Sequence, residues 1–480
     1  MLFSSNFFIF VFLPLVIAGY FLIKTPFQNY YLLIVSLLFY AWGEPKFVLL
    51  LIVFIAINYS GALVIRNAEG QGRKHLKKIA LIALLIFDVG VLFVFKYLNF
   101  ITANLSSLSG GRVPATSIPL PIGISFFTFM AISYVVDVYR GKVEAQKNPL
   151  LFALYISFFP KMIAGPIVRY TAIKDQLQTR TVTFDSFTAG VKRFIQGFAK
   201  KIILADSFST IANQAFGIAG TSSLSVAFAW LGSIAYSLHI FFDFAGYSEM
   251  AIGLAKMFGF QFLENFDYPY ISRTITEFWR RWHISLGTWF RDYVYFPLGG
   301  SRVNSKFRLV LNLFAVWFLT GVWHGANWNY LAWGLLYFVL LVIEKLAKIP
   351  EKIRNKPDSF KAFLYRVFTL LSVNCGWVLF RADGLKAGLR YLSVMFGLSG
   401  NVLTDAYIFR YSMEYMVPLL LGVLCSTPVF KITGEQFVRA FGKQEWIVNT
   451  LSSIWYILLF LISVSYLVIG SHNPFVYLKF

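Results

Sequence analysis

The sequence predicts an all-α polytopic membrane protein, and three observations carry that reading. The chain has 480 residues, of which 58% are hydrophobic and only 14% charged. Its mean hydropathy is +0.66. A soluble chain of this length would split into several domains and carry more charge. Apolar runs long enough to cross a bilayer recur along the chain, separated by short clusters of Lys and Arg. We count roughly eleven or twelve crossings, with boundaries good to about 2–4 residues. No polar stretch is long enough to build a soluble module, so residues 1–480 read as one membrane-embedded domain. The net charge of +21 is explained by basic cytoplasmic loops rather than by nucleic-acid binding. Such a face also suits an anionic donor such as coenzyme A.

The first apolar runs are Phe7–Ile23, Tyr30–Trp42 and Phe47–Ile65, the second of them short for a span. MLFSSNFF lacks a positive n-region, so the first run reads as a retained span and not a cleaved signal. The basic stretch Arg66–Lys78 is cytoplasmic by the positive-inside rule, which puts the N-terminus outside. Ile79–Ile101 carries Asp88 and Lys96, which lipid exposure would penalise, so both should face the interior or the interface. Ile118–Val138 returns to the basic DVYRGKVEAQK. Leu150–Val168 is interrupted by FFPKMIAGP, where Lys161 between two prolines predicts a bent or re-entrant element. Phe184–Asp206 alternates apolar and basic residues at helical spacing, as an interfacial amphipathic helix does. A weak span at Phe208–Ile218 and a strong one at Leu224–Phe242 follow. Beyond Trp328 the chain crosses at Tyr330–Ile343, Phe363–Phe380, Tyr415–Phe430 and Ile454–Ile469, and it ends outside. Cys375 and Cys425 both lie in apolar segments and read as packing thiols.

The chemistry concentrates between Phe278 and Trp328, which hold two of the five histidines. His324 lies at the tip of an apolar hairpin whose two ends, Arg302–Arg308 and Lys345–Lys348, are cytoplasmic by charge. Sixteen residues separate it from Arg308, roughly 24 Å along a helix. It is either a histidine hydrogen-bonded at the outer interface beside belt tryptophans or an intramembrane base acting on a hydroxyl. His283 follows Arg280 and Arg281, precedes Arg291, and shares its segment with Phe278, Trp282 and Trp289. That segment reads as an interfacial helix with snorkelling arginines, or as a phosphate-binding one. On either reading His283 belongs near the cytoplasmic side and His324 at a different depth. Asp243 and Glu249, like Asp137 and Asp292, are either membrane-buried acids with a function or structural partners for arginine. His239 lies one turn before Asp243 and can bond to it locally. No Walker A, dinucleotide fingerprint or serine-hydrolase elbow is present, and the two histidines lack zinc-ligand spacing, so no metal is expected.

These residues resemble the membrane-bound O-acyltransferase (MBOAT) family, in particular its bacterial alginate O-acetyltransferase-like branch. The resemblance rests on PIGISFFTFMAISYVVDVYRG at Pro121–Gly141, AGPIVRY at Ala164–Tyr170, FDFAGYSEMAIGLAKMFGF at Phe242–Phe260, NFDYPY at Asn265–Tyr270, FWRRWHISLGTWFRDYVYFPLGGSR at Phe278–Arg302, WHGANW at Trp323–Trp328 and NPF at Asn473–Phe475. Ala245 and Glu249 depart from the commoner FDFSGYSDM. The resemblance implies a helical bundle with re-entrant and amphipathic helices around a central tunnel. It implies that His324 is the catalytic histidine, as base or transient acyl carrier, and His283 the second motif position. Arg280, Arg281 and Arg291, with Trp282 beside them, would hold the donor. Asp243, Trp323 and Asn327 are further candidates.

The function so implied is transfer of acetyl from cytoplasmic acetyl-CoA, a donor substrate rather than a resident cofactor, across a bacterial cytoplasmic membrane to a polysaccharide. A separate extracellular or periplasmic acetyltransferase would act as partner. The alternatives are a D-alanyl transferase fed by a carrier protein and acting on teichoic acid, and a non-enzymatic transporter or polysaccharide-export scaffold.

Overall fold

The computed structural model describes residues 1–221, 223–442, 444–470 and 475. Of the sequence motifs, Asn473 and Pro474 in the NPF stretch and most of the C-terminal tail lie outside the described residues. All regular structure among the described residues is helical. The helices gather into two compact units, residues 1–194 with 248–263, and residues 195–247 with 264–480.

The first unit opens with α1 (Phe8–Leu22), α2 (Gln28–Gly43), α3 (Phe47–Gly70) and α4 (Lys74–Lys96). Phe3, Phe8, Phe39 and Phe159 pack ring against ring at its centre. As the sequence predicts, Asp88 and Lys96 turn inward: Asn58 donates to Asp88 Oδ1 at 2.8 Å, and Lys96 lies 3.2 Å from Ser125 Oγ. Next come α5 (Leu98–Leu108), α6 (Ile124–Tyr139), α7 (Pro149–Ser157) and α8 (Phe159–Met162). The predicted bend at FFPKM is the break between α7 and α8. There the Phe159 amide donates to Ser36 Oγ, not back along the helix, and the Tyr155 carbonyl accepts from the fully buried Lys161 ammonium instead. The lysine thus satisfies a backbone acceptor that the break leaves over. After α9 (Tyr170–Gln178), α10 (Phe184–Ala199) runs from the first unit into the second.

In the second unit a π-helical turn, Lys200–Ala205, joins α10 to α11 (Asp206–Gly217). The weak span expected at Phe208–Ile218 falls in α11, which continues α10 through that turn and is not among the helices apolar enough to cross a membrane. α12 (Val226–Met257) is a single 32-residue helix that starts in this unit, ends in the first and carries Asp243 without a break. The short helices α13 (Ile275–Arg281) and α14 (Ile284–Phe290) flank His283. α15 (Lys306–His324) and α16 (Trp328–Leu346) form the expected hairpin. α17 (Ile349–Asn355), α18 (Phe360–Arg381), α19 (Leu385–Met395), α20 (Ala406–Glu414), α21 (Met416–Cys425), α22 (Val429–Phe441) and α23 (Glu445–Ile469) complete the unit.

Among the described residues, seven single helices are long and apolar enough to cross a membrane: α3, α4, α12, α15, α16, α18 and α23. The run read as one crossing at Tyr415–Phe430 holds only the ten-residue α21 and the start of α22; α21 meets α20, which precedes the run, at 66°, and that bent pair makes at most an eighth span. Their junction falls at Tyr415, where the helical geometry stops and restarts. The shorter apolar helices α1 and α6 complete the inventory. Chain hydropathy counts apolar runs, and several of these runs are short helices buried within the protein.

The α15–α16 hairpin depends on close backbone approach. A Cβ on Gly334 would lie 2.6 Å from the Trp317 carbonyl oxygen, and one on Gly321 would lie 2.8 Å from that of Tyr330. Backbone cannot yield as a flexible side chain can. Gly334→Ala is therefore expected to force the two helices apart and destabilise the protein by about 1–3 kcal/mol, read as a lower thermal midpoint in detergent. An unchanged midpoint would show that the hairpin does not depend on this contact.

Candidate functional site

His324 is the last residue of α15 and is 3% exposed. Three aromatic rings surround its imidazole: Trp323 at 4.8 Å, Trp333 at 4.9 Å and Phe380 at 5.0 Å between centroids. The next residue, Gly325, has no room for a side chain, because a Cβ there would lie 2.4 Å from the Tyr330 ring. The wall is held from behind by Asn329. Its amide donates to the carbonyls of Leu379 at 3.2 Å and Ala382 at 3.0 Å, fastening the start of α16 to the end of α18. Phe380 is seated against His324 by that link.

His283 is 2% exposed and sits between α13 and α14 with φ of +43°. A left-handed conformation at a non-glycine residue costs energy and persists only where the surroundings impose it. Asn265 imposes it here. Its backbone carbonyl accepts from the Ile284 amide at 2.9 Å, and its Oδ1 accepts from the Ser285 amide at 3.2 Å and the Ser285 hydroxyl at 2.9 Å. The same oxygen lies 3.1 Å from His283 Nδ1. Because Oδ1 is the acceptor in all these contacts, Nδ1 carries the ring proton and Nε2 is the basic nitrogen. Burial pushes this imidazole down to about 3, so it is neutral near pH 7.

The two histidines share a neighbour. The His283 ring lies 6.1 Å from the Trp323 indole, whose centroid is 4.8 Å from the His324 ring. Loop charge set the two histidines at different depths, and the fold brings both imidazoles against one tryptophan. The sequence reading took the aromatic and basic segment around His283 as helical. The chain breaks at His283 instead, and the break tucks Trp282 and His283 into the protein.

α13 is held at its N-terminus by two side chains. Thr274 caps it, accepting from the Glu277 amide at 3.0 Å. Glu344, fully buried near the end of α16, accepts from the amides of Ile275 at 2.7 Å and Thr276 at 2.8 Å. A carboxylate at a helix N-terminus meets both unpaired donors and the dipole. Of the predicted donor-side residues, Arg280 is exposed. Arg281 is held by Glu277 at 3.0 Å and Asp267 at 2.9 Å. Arg291 is exposed and pairs with Asp292 at 2.7 Å. Trp282 is core: its ring lies 4.7 Å from Trp377 and stacks on Phe278 at 5.6 Å. Asn327 stands at the N-cap position of α16 without a capping bond from its side chain.

Asp243 does not join the histidines directly. It is fully buried and 2.7 Å from the Lys201 ammonium, which also meets Asp206 at 2.8 Å. Its expected bond to His239 is not the one formed: His239 Nδ1 lies 2.8 Å from the Ala205 carbonyl. The neighbour Phe244 faces the other way, edge-on to His283 at 4.6 Å. Sequence reading passed over Asn265, Asn329, Phe380, Lys201 and Glu344. Two of them carried a signal, since Asn265 opens NFDYPY and Glu344 is an acid inside an apolar run.

A model of MBOAT, the membrane-bound O-acyltransferase family, matches residues 75–374. The chain is 39% identical to a probable alginate O-acetylase of Pseudomonas putida over 498 residues, which covers 100% of both proteins. It is 44% identical to a probable alginate O-acetylase of Pseudomonas aeruginosa over 435 residues, 88% of this chain and 82% of the relative. It is 31% identical to a peptidoglycan O-acetyltransferase of Helicobacter pylori over 528 residues, 100% of this chain and 97% of the relative. This polytopic chain belongs to the membrane-bound O-acyltransferase family.

Proposed function

We propose that this O-acyltransferase moves acetyl from acetyl-CoA on the cytoplasmic side of a bacterial cytoplasmic membrane toward a polysaccharide outside, with His324 at the reacting centre. The observation that carries the reading is the pair of buried imidazoles against Trp323, at the end of α15 opposite its basic start, Lys306 and Arg308. The relatives named as O-acetylases and an O-acetyltransferase support acetyl as the group carried.

The chemistry balances with this chain's own residues. An acceptor hydroxyl gives its proton to the His324 imidazole while its oxygen bonds to the thioester carbonyl carbon. The C–S bond then breaks, and the imidazolium returns the proton to the thiolate. In the variant where His324 carries acetyl, an imidazole nitrogen bonds to the carbonyl carbon as the C–S bond breaks and the thiolate takes the proton that the ring loses; the acceptor hydroxyl oxygen then bonds to that carbon as the C–N bond breaks, and its proton returns to the ring. The aromatic walls exclude water, which would otherwise hydrolyse the thioester. His283, neutral and fixed in one tautomer by Asn265, orients donor or intermediate through Nε2. Arg280 and Arg291 are the exposed cations for donor phosphates, and Arg281 and Trp282 hold the segment that presents them. A separate acetyltransferase outside the membrane completes transfer to the polymer.

Donor exchange tests the reading. Purified protein in lipid nanodiscs is expected to release CoA thiol from acetyl-CoA and to leave a D-alanyl-loaded carrier protein unused. Turnover with the carrier alone would overturn it. Intact-mass measurement in a single turnover separates the two roles of His324, since only the carrier role adds an acetyl mass to the protein.

A further inference from the structure

Asn58 on α3 and Asp88 on α4 meet inside helices that are long and apolar enough to cross a membrane, and neither residue is exposed. Both hydrogens of the Asn58 amide nitrogen are in use. One goes to the Phe54 carbonyl at 3.1 Å, one turn back along α3, and the other to Asp88 Oδ1 at 2.8 Å. These two acceptors fix the amide, because turning it over would set its oxygen against both of them. Two acceptors are then left over. Among the described residues, neither Asn58 Oδ1 nor Asp88 Oδ2 has a hydrogen-bond partner. They are the second limbs of an amide and a carboxyl whose first limbs are already joined.

A carboxylate is out of place here on two counts. It offers acceptors alone, so it leaves Asn58 Oδ1 unsatisfied and its own Oδ2 unpaired. It also has no counter-charge. α4 packs against α3 and α6. α3 has no charged residue from Phe47 to Ile65, and α6 has none before Asp137 near its far end. The tyrosines of these helices are engaged elsewhere, Tyr59 with the Lys147 carbonyl at 2.6 Å and Tyr134 with the Gln146 amide at 2.8 Å. On α4 itself, Lys96 is eight residues on, about 12 Å along the helix, and lies 3.2 Å from Ser125 Oγ. A lone carboxylate in an apolar interior is costly enough that the neutral acid replaces it.

We infer that Asp88 and Asn58 form a proton-binding site. One proton on Asp88 Oδ2 is donated to Asn58 Oδ1 and closes a neutral acid–amide ring that ties α3 to α4 within the membrane. The proton turns Oδ2 into a donor and gives the amide oxygen its partner, so a single ligand satisfies both leftover atoms. The ring holds two hydrogen bonds between the helices and no net charge. With Asp88 neutral, α4 carries no charge from Ile79 to Phe95. The site lies in the first unit, apart from the residues assigned to acetyl transfer, and does not depend on that assignment.

Infrared spectroscopy of the full-length protein in lipid nanodiscs at neutral pH tests this. Wild type is expected to show the carbonyl band of a protonated carboxyl, and Asp88→Asn is expected to lose it. Asn58→Leu is expected to keep the band and shift it to the frequency of a less strongly hydrogen-bonded acid. A difference between wild type and Asp88→Asn confined to carboxylate bands would overturn the inference. Thermal unfolding in the same nanodiscs gives a second readout. Asp88→Asn is expected to hold the wild-type midpoint, because its new amide N–H takes the place of the acid O–H. Asp88→Leu is expected to lower the midpoint, because it strands the Asn58 amide. Equal midpoints for these two variants would overturn the ring. So would a wild-type midpoint that rises when sodium replaces a large organic cation and does not rise in Asp88→Asn, which would assign the two oxygens to a bound cation. Should Asp88→Leu fail to fold, the infrared comparison of wild type with Asp88→Asn still decides.

Discussion

Replacing His324 with alanine is expected to lower acetyl-CoA turnover by about 10²- to 10⁴-fold, the range that a positioned general base contributes. The effect should fall on kcat, because the imidazole acts on a proton that moves only in the transition state. Alanine also opens a cavity among Trp323, Trp333 and Phe380, so a loss of folded protein must be separated from a loss of chemistry. His324→Gln fills most of that space and cannot act as a base near neutral pH. The two variants should therefore lose turnover alike, while glutamine keeps the thermal midpoint closer to wild type. Undiminished turnover in either variant would remove His324 from the reaction. If both lose activity only in proportion to folded protein, the residue is structural.

The second large effect concerns stability. Lys201 is almost fully buried between Asp243 and Asp206, and Asp243 has no solvent exposure. Lys201→Met is expected to cost about 3–5 kcal/mol, because it strands a buried carboxylate without its counter-charge. The construction of the site carries this further. Asp243 precedes Phe244, which packs edge-on against His283, and Lys201 belongs to the π-helical turn between α10 and α11. The double variant Lys201→Met, Asp243→Leu removes both charges and is expected to recover much of the loss. Thermal unfolding of the set in one detergent checks this. A double variant no more stable than Lys201→Met alone would mean that the pair is not what makes the single change costly.

The candidate site was partly legible in advance. His324 could be found because an ionisable residue at the tip of an apolar hairpin is rare, and the basic charge at both hairpin ends fixed its distance along the helix. The neighbours that shape it were not legible. Phe380 is one phenylalanine among 53, and nothing local marks it as the one against His324. Asn329 becomes informative only when α18 is seen to end beside it. The inward turn at His283 was not legible, because snorkelling arginines and tryptophans describe an interfacial helix equally well. What overrides that description is Asn265, eighteen residues earlier, which pulls the backbone into a left-handed turn and the ring inward.

By itself, the sequence determined the class of the protein. Hydropathy and charge placement fix a helical membrane body, because unpaired backbone groups are too costly in lipid for any open alternative. Motif identity fixes the family, and the hairpin's flanking charges fix which end of α15 bears His324. Only the tertiary structure decided that two imidazoles share one indole and that Asp243 serves Lys201 rather than His239. These are relations between side chains distant in sequence, set by helix packing and backbone approach. The residues that form them carry no local pattern that distinguishes them from their many equals in an apolar chain.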